Sequence, residues 1–386
     1  MRYRKLKGSK LFTGQELLNE NNVLILDENN VVQDIVPAAE AGTDIEEVNG
    51  ILLPGFINCH CHIELSHMQK VIPSGTGLVD FLLAVVQNRN MDAEQIRTHI
   101  NAAEKEMYNN GIDGVADICN TTYAIETKKN SRIRWHNLIE VINMFDANMD
   151  KKLAYYTDIW QAYQQLENNS VLTPHAPYTV STKIFEAINV ATAGQIISIH
   201  NEETAAENEL FQTGKGDFLK LYAHFGLSQS PFAISGTTSL QTYLPYFTNG
   251  QTIILVHNTF ITEDDILFAQ QHAARFGLQI IYCLCPNANL YIENKLPPVD
   301  LLLKYNCHIV LGTDSYSSNW QLNIASEIKT LLQHFPQLSL ETVLQWATIN
   351  GAKALHWQND LGSFEKGKQP GVVVLDENTF AVKRIV

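Results

Sequence analysis

The chain has 386 residues, of which 45% are hydrophobic and 18% are charged, and its formal net charge at pH 7 is −14. This composition supports a large buried core and excludes a disordered chain, while the negative charge argues against a nucleic-acid surface, which needs basic patches. No apolar run reaches the length of a membrane span, and the opening MRYRKLKGSKLF lacks the apolar stretch of a secretory signal.

The first 50 or so residues predict short β-strands separated by turn signals. Two of these signals are DENN at 27–30 and AEAGTD at 39–44. The last 25 or so residues, which include GSFEKGKQPGVVVLD (362–376), have the same character. We therefore expect a small β domain built from both termini, residues 1–54 and 356–386, which encloses a larger domain over residues 55–355.

Between these ends, short apolar runs alternate with helical patterns. The first run is LLPGFIN (52–58), and seven follow: GVADIC (114–119), RWHNLIEVI (134–142), SVLTP (170–174), QIISIH (195–200), TIILVH (252–257), QIIYCL (279–284) and CHIVLGTD (307–314). Residues 92–111 are typical of the intervening helices, with Gly111 as the C-cap. Eight such units predict an α/β fold, a (β/α)8 TIM-like barrel. Residues 201–250 fit neither pattern, and we interpret them as a lid or extra helices.

The cysteine content indicates the redox environment. Six cysteines show no regular spacing, and several lie inside apolar strand patterns. A reducing cytoplasm fits this usage best. We expect a cytoplasmic enzyme that acts on a small molecule and has no nucleic-acid or membrane partner. A homo-oligomer is compatible with the sequence.

The segment FINCHCH (56–62) carries two histidines and two cysteines in alternation. Because side chains in a strand alternate between its faces, His60 and His62 share one face, and Cys59 and Cys61 share the other. Active sites of such barrels lie at the carboxyl ends of the strands. We assign the histidines inward, as metal ligands, and the cysteines outward, against helices. His67 lies beyond the strand and is left open.

Three further strands end in a residue suited to metal binding or acid–base chemistry. These residues are His200, His257 and Asp314. An HxH pair alone is weak support for a metal site, but burying these additional groups without a partner is costly. A divalent ion at the mouth of the barrel would satisfy them. Zinc is favoured by the donor types, with iron or manganese as alternatives.

Several motifs together resemble those of the amidohydrolase superfamily, in its deaminase and chlorohydrolase branch. LLPGFINCHCH (52–62) is similar to the first-strand PGxxxxHxH motif of that branch. Similar matches follow along the chain: TPHAPYTVS (173–181), HNEETAAE (200–207), GTDSYSSN (312–319) and ATINGAKAL (347–355). Two departures, Cys61 and Pro370-Gly371, are expected to lie outside the catalytic site.

The resemblance implies a role for each site residue. One divalent ion would be held by His60, His62, His200 and Asp314, and Asp314 would also accept a proton from water. Glu203 would carry a proton to a ring nitrogen of the substrate and contact it there. His257 would hydrogen-bond the attacking water, and His175 would orient the substrate. The strand that ends VLTPH has no lysine to bridge two metals, which favours a single ion and ring deamination.

The acidic run NEETAAENE (201–209) has a simpler interpretation, since such runs are usually solvated helix faces. We keep that interpretation for Glu202 and Glu209, leave Glu207 open, and separate Glu203 because it follows His200 by three residues. We interpret the other histidines as structural: His99, His136, His224, His272, His308, His334 and His356. A Ser-His-Asp hydrolase is disfavoured because no GxSxG motif is present.

Two segments refine the resemblance to one group of the branch. HCHIELSHM (60–68) and ETAAENELFQTGKGDF (203–218) resemble segments of aminodeoxyfutalosine deaminases, which serve the futalosine route to menaquinone. In that interpretation Glu64 accepts hydrogen bonds from ribose hydroxyls. An equal alternative is that Glu64 is a loop carboxylate paired with a nearby cation. Alternative activities are deamination of adenosine, methylthioadenosine, adenosylhomocysteine or guanine, and a chlorohydrolase that acts on a triazine-like ring.

Overall fold

The computed structural model describes residues 3–166 and 169–386. Residues 1 and 2 of the predicted small domain lie outside the described residues. The first part of the described chain forms seven short strands: β1 (Arg4–Lys7), β2 (Lys10–Phe12), β3 (Leu17–Leu18), β4 (Asn22–Leu26), β5 (Val32–Pro37), β6 (Ile45–Glu47) and β7 (Ile51–Leu53).

Eight parallel strands follow. They are β8 (Phe56–Cys61), β9 (Ile112–Cys119), β10 (Arg134–Val141), β11 (Asn169–Pro174), β12 (Ile196–Asn201), β13 (Thr252–His257), β14 (Gln279–Leu284) and β15 (His308–Leu311). They form two four-stranded sheets, in the orders β11-β10-β9-β8 and β12-β13-β14-β15. Most of their residues are buried on both faces, as expected for parallel strands covered by helices.

Hydrogen bonds join the edge strands of the two parallel sheets. On one side the Thr173 hydroxyl donates to the Ser198 carbonyl at 2.6 Å. On the other side the backbone N–H groups of Thr313 and Asp314 both donate to the His60 carbonyl at 3.0 Å. The carboxyl ends of β8, β12 and β15 are thereby brought to one side of the structure, where the candidate site lies.

Two further strands close the chain, β16 (Val373–Leu375) and β17 (Val382–Arg384). With strands from the other end of the chain they form a five-stranded sheet in the order β17-β16-β7-β2-β3, and β5-β4-β1-β6 form a separate sheet. Strand β16 pairs antiparallel with β7, with Val373 opposite Leu53. The predicted first strand, LLPGFIN, is therefore wrong as one element. Pro54 and Gly55 separate β7 of the terminal sheet from β8, since proline removes a ladder donor.

The described residues also form fourteen α-helices. These are α1 (Leu78–Asn88), α2 (Ala93–Asn109), α3 (Ile125–Asn130), α4 (Met149–Tyr163), α5 (Thr182–Ala191), α6 (Ala205–Thr213), α7 (Phe218–His224), α8 (Ser239–Tyr243), α9 (Glu263–Phe276), α10 (Pro286–Glu293), α11 (Val299–Lys304), α12 (Ile324–His334), α13 (Leu340–Ala347) and α14 (Ile349–Ala354). The unassigned segment 201–250 contains α6, α7 and α8. No helix within residues 3–166 and 169–386 combines the length and apolar character needed to cross a membrane.

The helix predicted over residues 92–111 illustrates how the sequence sets these boundaries. The Asp92 side chain caps α2 by accepting a hydrogen bond from the Glu94 backbone N–H at 2.9 Å. At the other end, Gly111 has φ +83°, a conformation that glycine adopts without steric cost. The chain can therefore leave α2 and enter β9 at once.

Candidate metal centre and substrate pocket

Four buried side chains converge at the carboxyl ends of the parallel strands. His60 lies in β8, His62 follows it, His200 lies in β12, and Asp314 comes three residues after β15. One ligand atom from each residue lies within 4.8 Å of those of the other three. His60 Nε2 and His62 Nε2 are 3.1 Å apart, and each is 3.4 Å from Asp314 Oδ1. The predicted metal ligands are thus brought together.

The donor set fits a bound cation. His200 Nδ1 lies 2.8 Å from the His175 carbonyl oxygen, so Nδ1 carries the proton and Nε2 presents a lone pair to the cluster. Three imidazoles and one carboxylate are ligands that zinc favours. Converging lone pairs at these distances repel one another unless a cation lies between them.

The surroundings favour neutral imidazoles and an ionised carboxylate. Burial lowers the pKa of His62 to about 3 and holds the pKa of His200 well below its usual range. Burial alone would raise the pKa of Asp314. The hydrogen bond with His60 and the neighbouring His62 outweigh that effect, and the pKa lies well below its usual range. These are the protonation states in which both residue types bind metals.

The backbone is strained where the strands turn into the site. Glu202, His257 and Asp314 have φ values of +46°, +76° and +56°, in the left-handed region. Each such conformation costs roughly 1–3 kcal/mol for a residue other than glycine, and such residues cluster at functional sites. At each of these residues the chain leaves its strand and turns beside the cluster, and the strained conformation lies at that turn.

Glu203 and His257 face each other next to the cluster. Glu203 Oε1 lies 3.6 Å from His257 Nε2, and both side chains are buried. His257 Nδ1 is 3.2 Å from Asn289 Oδ1, which directs the other ring nitrogen toward the pocket. His257 Nε2 makes no hydrogen bond within the described part of the chain. Burial raises the pKa of Glu203 well above its usual range and lowers that of His257 to about 4.

Glu207 supports the backbone at Glu202 and Glu203. Its carboxylate accepts hydrogen bonds from the backbone N–H groups of Glu202 at 3.0 Å and Glu203 at 3.2 Å. The Ser239 hydroxyl donates to it as well, at 2.5 Å. Glu207, which the sequence left open, therefore positions Glu203. The solvated position expected for Glu202 is wrong: its side chain is fully buried and accepts a hydrogen bond from Asn208. Glu209 is exposed, as expected.

His175 lies at the end of β11 and lines the same pocket. Its ring centroid is 4.8 Å from that of His200, and its Nδ1 is 2.6 Å from the Thr179 hydroxyl oxygen. Burial lowers the pKa of His175 to about 3. A neutral ring held by Thr179 leaves Nε2 to face a ligand.

A largely apolar cavity extends outward from the cluster. Its walls come from α1, from the chain after β10 and from α7, and they include Leu65, Leu78, Phe81, Leu82, Val85, Val86, Ile142, Met144, Tyr178, Leu221 and Phe225. Arg89, just after α1, is half-buried in this wall. In the described chain its guanidinium makes no hydrogen bond or ion pair with another side chain. The pocket therefore has the His–Asp cluster at one end, an apolar wall along its length and the guanidinium of Arg89 in that wall.

Glu140 is a pocket residue that the sequence did not predict. It lies near the carboxyl end of β10 and is 2% exposed. Asn120 Nδ2 donates to its Oε2 at 2.9 Å. Its Oε1 has no hydrogen-bond partner among residues 3–166 and 169–386. The signal was present, because an acidic residue near the end of an apolar strand is the pattern that identified Asp314.

Glu64 lies outside the pocket, beside the loop that follows β9. Its carboxylate accepts hydrogen bonds from the backbone N–H groups of Asn120 at 3.0 Å and Thr121 at 3.1 Å, and it does not line the pocket. Burial raises its pKa to about 7. The geometry gives Glu64 the task of holding the loop that follows β9, and it does not support the predicted contact with ribose hydroxyls.

The histidines interpreted as structural lie outside this pocket. His136 is buried with Nε2 3.0 Å from the Ile196 carbonyl oxygen, and His272 Nε2 is 2.8 Å from that of Phe247. His67, which was left open, contacts the carbonyl oxygens of Glu64 and Arg89. It therefore ties the chain after β8 to the end of α1.

Comparison with known proteins places this arrangement in a family. Residues 51–386 match the model of the amidohydrolase family. The chain belongs to the amidohydrolase family. This confirms the predicted family and the prediction of an enzyme that hydrolyses carbon–nitrogen bonds.

Similar proteins cover nearly the whole chain. An adenosine deaminase of Helicobacter pylori is 26% identical over 86% of this chain and 80% of its own. An aminodeoxyfutalosine deaminase of Nitratiruptor sp. is 24% identical over 95% of this chain and 88% of its own. The crystal structure of Helicobacter pylori aminofutalosine deaminase with methylthio-coformycin superposes with a TM-score of 0.82 at 22% identity, covering 97% of this chain and 92% of that one. The chain therefore has the fold of that deaminase.

Proposed function

We propose that this chain is a metal-dependent hydrolytic deaminase that removes the 6-amino group of an adenine nucleoside. The observation that carries the proposal is the location of Glu203 and His257 beside the His60–His62–His200–Asp314 cluster, in one buried pocket. This arrangement places a proton carrier, Glu203, next to the proposed metal site. The names of the relatives, deaminases of adenine nucleosides among them, support the same reaction.

We propose that the cluster holds one divalent ion, zinc first, with iron or manganese as alternatives. A bound ion would lower the pKa of a water molecule and so supply the nucleophile. A single ion is favoured because β11 ends at Pro174 and is followed by His175, so that no lysine stands there to bridge a second metal.

The protein's own side chains account for the proton transfers. Glu203, whose pKa burial raises well above its usual range, gives a proton to the ring nitrogen beside the amino-bearing carbon. That carbon becomes more electrophilic and takes the oxygen of water, whose proton passes to Asp314. His257 Nε2 holds this water in line. The amino group then takes the proton from Asp314 and leaves as ammonia, and the hydroxyl proton passes to Glu203 as the carbonyl forms. His175 orients the ring and stabilises developing charge.

We propose aminodeoxyfutalosine as the first substrate to test, which would place the enzyme in the futalosine route to menaquinone. This compound is an adenine nucleoside with a carboxyphenyl group on an extended 5′ arm. The apolar wall around Phe81, Ile142 and Met144 suits such an arm, and Arg89 suits its carboxylate. Adenosine, methylthioadenosine, adenosylhomocysteine and guanine remain as alternatives, together with a triazine-like ring that loses chloride.

A substrate panel tests the reaction. Ammonia release should be measured for aminodeoxyfutalosine, adenosine, methylthioadenosine, adenosylhomocysteine and guanine, and chloride release for a chlorotriazine, with enzyme supplied with zinc. We expect the largest kcat/KM for aminodeoxyfutalosine. If guanine or the chlorotriazine exceeds every adenine nucleoside, the proposed substrate class is wrong although the metal site stands.

Arg89→Leu tests how the pocket recognises the substrate arm. Loss of an ion pair with a carboxylate should lower kcat/KM for aminodeoxyfutalosine by about 10- to 100-fold. Methylthioadenosine has no carboxylate, so its kcat/KM should stay within about threefold of the wild-type value. An equal decrease in kcat/KM for both compounds would mean that Arg89 supports the pocket wall and does not recognise the 5′ substituent.

We also propose that the two parallel sheets form one closed (β/α)8 barrel over residues 55–355, with residues 1–54 and 356–386 as the small β domain. The hydrogen bonds between the sheet edges, at Thr173 and at His60, support closure. The strand pairing of β7 with β16 supports a domain made from both termini. A cytoplasmic location, a homo-oligomeric state and the absence of nucleic-acid or membrane partners stay predictions.

A further inference from the structure

Three carboxylates line the pocket: Glu140, Glu203 and Asp314. The last two belong to the proposed catalytic group. Glu140 has no part in the proton transfers, yet it is almost fully buried and its Oε1 lacks a partner within the described residues. A buried polar atom without a hydrogen bond is costly. A ligand that donates a hydrogen bond to this oxygen would remove that cost.

The neighbours of Glu140 do not supply this bond. Glu140 Oε1 is 3.7 Å from His200 Nδ1, but the proton on that nitrogen is directed to the His175 carbonyl oxygen at 2.8 Å. Asn120 binds the other oxygen, Oε2, and fixes the orientation of the carboxylate. Glu140 is therefore held in place in the wall of the cavity, with one buried acceptor oxygen that has no partner among the described residues.

The position of Glu140 along the pocket defines which part of a ligand it meets. The His200 ring lies between Glu140 and the metal cluster, so Glu140 is one ring away from the reacting atom. Glu140, Ile142 and Met144 all line the pocket and follow one another at a spacing of two along the end of β10 and the chain after it. A ligand thus meets the cluster, then a carboxylate, then an apolar wall.

We propose that Glu140 accepts hydrogen bonds from the sugar hydroxyls of the substrate and so selects nucleosides. This assignment rests on the proposed deaminase function and deepens it. The order of contacts corresponds to the order of groups in a 5′-substituted nucleoside: base at the cluster, hydroxyls at Glu140, 5′ substituent against Ile142 and Met144. A vicinal diol presents two donors, and one carboxylate can accept both.

The test compares adenosine with 2′,3′-dideoxyadenosine in the wild-type enzyme and in Glu140→Ala. A hydrogen bond to a charged group is worth enough to change kcat/KM by about 10- to 100-fold. The wild type should therefore prefer adenosine by about that factor. Glu140→Ala should lose this preference through a decrease for adenosine alone, with dideoxyadenosine unchanged within about threefold. Metal content should equal that of the wild type.

Asp113→Ala is the matched control. Asp113 is a partly buried carboxylate near the amino end of β9, where it pairs with Arg384 at 2.9 Å, outside the pocket. Asp113→Ala should leave the ratio of kcat/KM for adenosine to that for dideoxyadenosine unchanged, even if the substitution lowers the stability of the protein. Glu140→Gln, which keeps an acceptor oxygen, should restore part of the preference.

Each contrary result has a separate meaning. An equal decrease for both compounds, or a loss of metal in Glu140→Ala, would show that Glu140 acts through His200, and the sugar assignment would be wrong. Equal turnover of both compounds by the wild type would also overturn it while leaving the deaminase function intact. Turnover of guanine or a chlorotriazine but of no adenine nucleoside would instead overturn the proposed function.

Discussion

Glu203→Gln is expected to retain the metal content of the wild type and to lose at least about 100-fold in kcat. General acid–base groups contribute on the order of 10²–10⁴ in rate, and glutamine has the same shape but no proton to transfer. The backbone N–H of Glu203 is fixed by Glu207, so the new amide should occupy the same position. Steady-state kinetics on an adenine nucleoside, with elemental analysis of the same sample, measure both quantities.

Glu209→Gln is the matched control for this variant. Glu209 belongs to the same acidic run but is exposed on α6, so its kcat should equal that of the wild type. Near-normal kcat in Glu203→Gln would contradict the role of Glu203 in proton transfer. Glu207 would be a poor replacement, because backbone N–H groups and Ser239 already bind its carboxylate.

The acidic residues at 201–209 differ in burial, and their roles differ with it. Glu203 lines the pocket, Glu207 holds the backbone of Glu202 and Glu203, and Glu209 faces solvent. Glu207 follows Glu203 by four positions and lies in the first turn of α6, where it can reach back to the chain before the helix. The strained turn at Glu202 is thus stabilised by its own helix.

The metal cluster was predictable because it depends on simple periodicity. Alternation along a strand places His60 and His62 on one face, and parallel strands bring His200 and Asp314 to the same side. Neither inference needs knowledge of a distant contact. The fold class followed from the same alternation of apolar strands with helices.

Other features depend on contacts that no local pattern records. Glu64 looked like a ligand contact because it lies next to the HxH pair, but its partners are backbone N–H groups more than fifty residues away. Glu140 was hidden within an apolar strand, since only the three-dimensional structure shows which of its neighbours leave an oxygen unbound. Pro54 and Gly55 mark the boundary between β7 and β8, but they lie inside the run LLPGFIN, which looked like one strand.

His62→Ala is expected to abolish stable metal binding and, with it, nearly all activity. The wild type should contain close to one divalent ion per chain, because one nitrogen from each of three histidines and one Asp314 oxygen complete a single site. Loss of groups that only orient metal ligands typically costs 10–100-fold in affinity, so loss of a ligand itself should cost more. Elemental analysis after dialysis measures the effect without relying on turnover.

His99→Ala provides the control, since His99 is exposed on α2 and distant in sequence from every ligand. It should keep the wild-type metal content. Thermal unfolding adds an independent measurement: added zinc should raise the Tm of metal-free wild type and His99→Ala, because a ligand that binds only the folded state stabilises it, and should leave His62→Ala nearly unchanged. Two tightly bound ions per chain in the wild type would overturn the single-ion site, which is proposed because no lysine stands at the carboxyl end of β11.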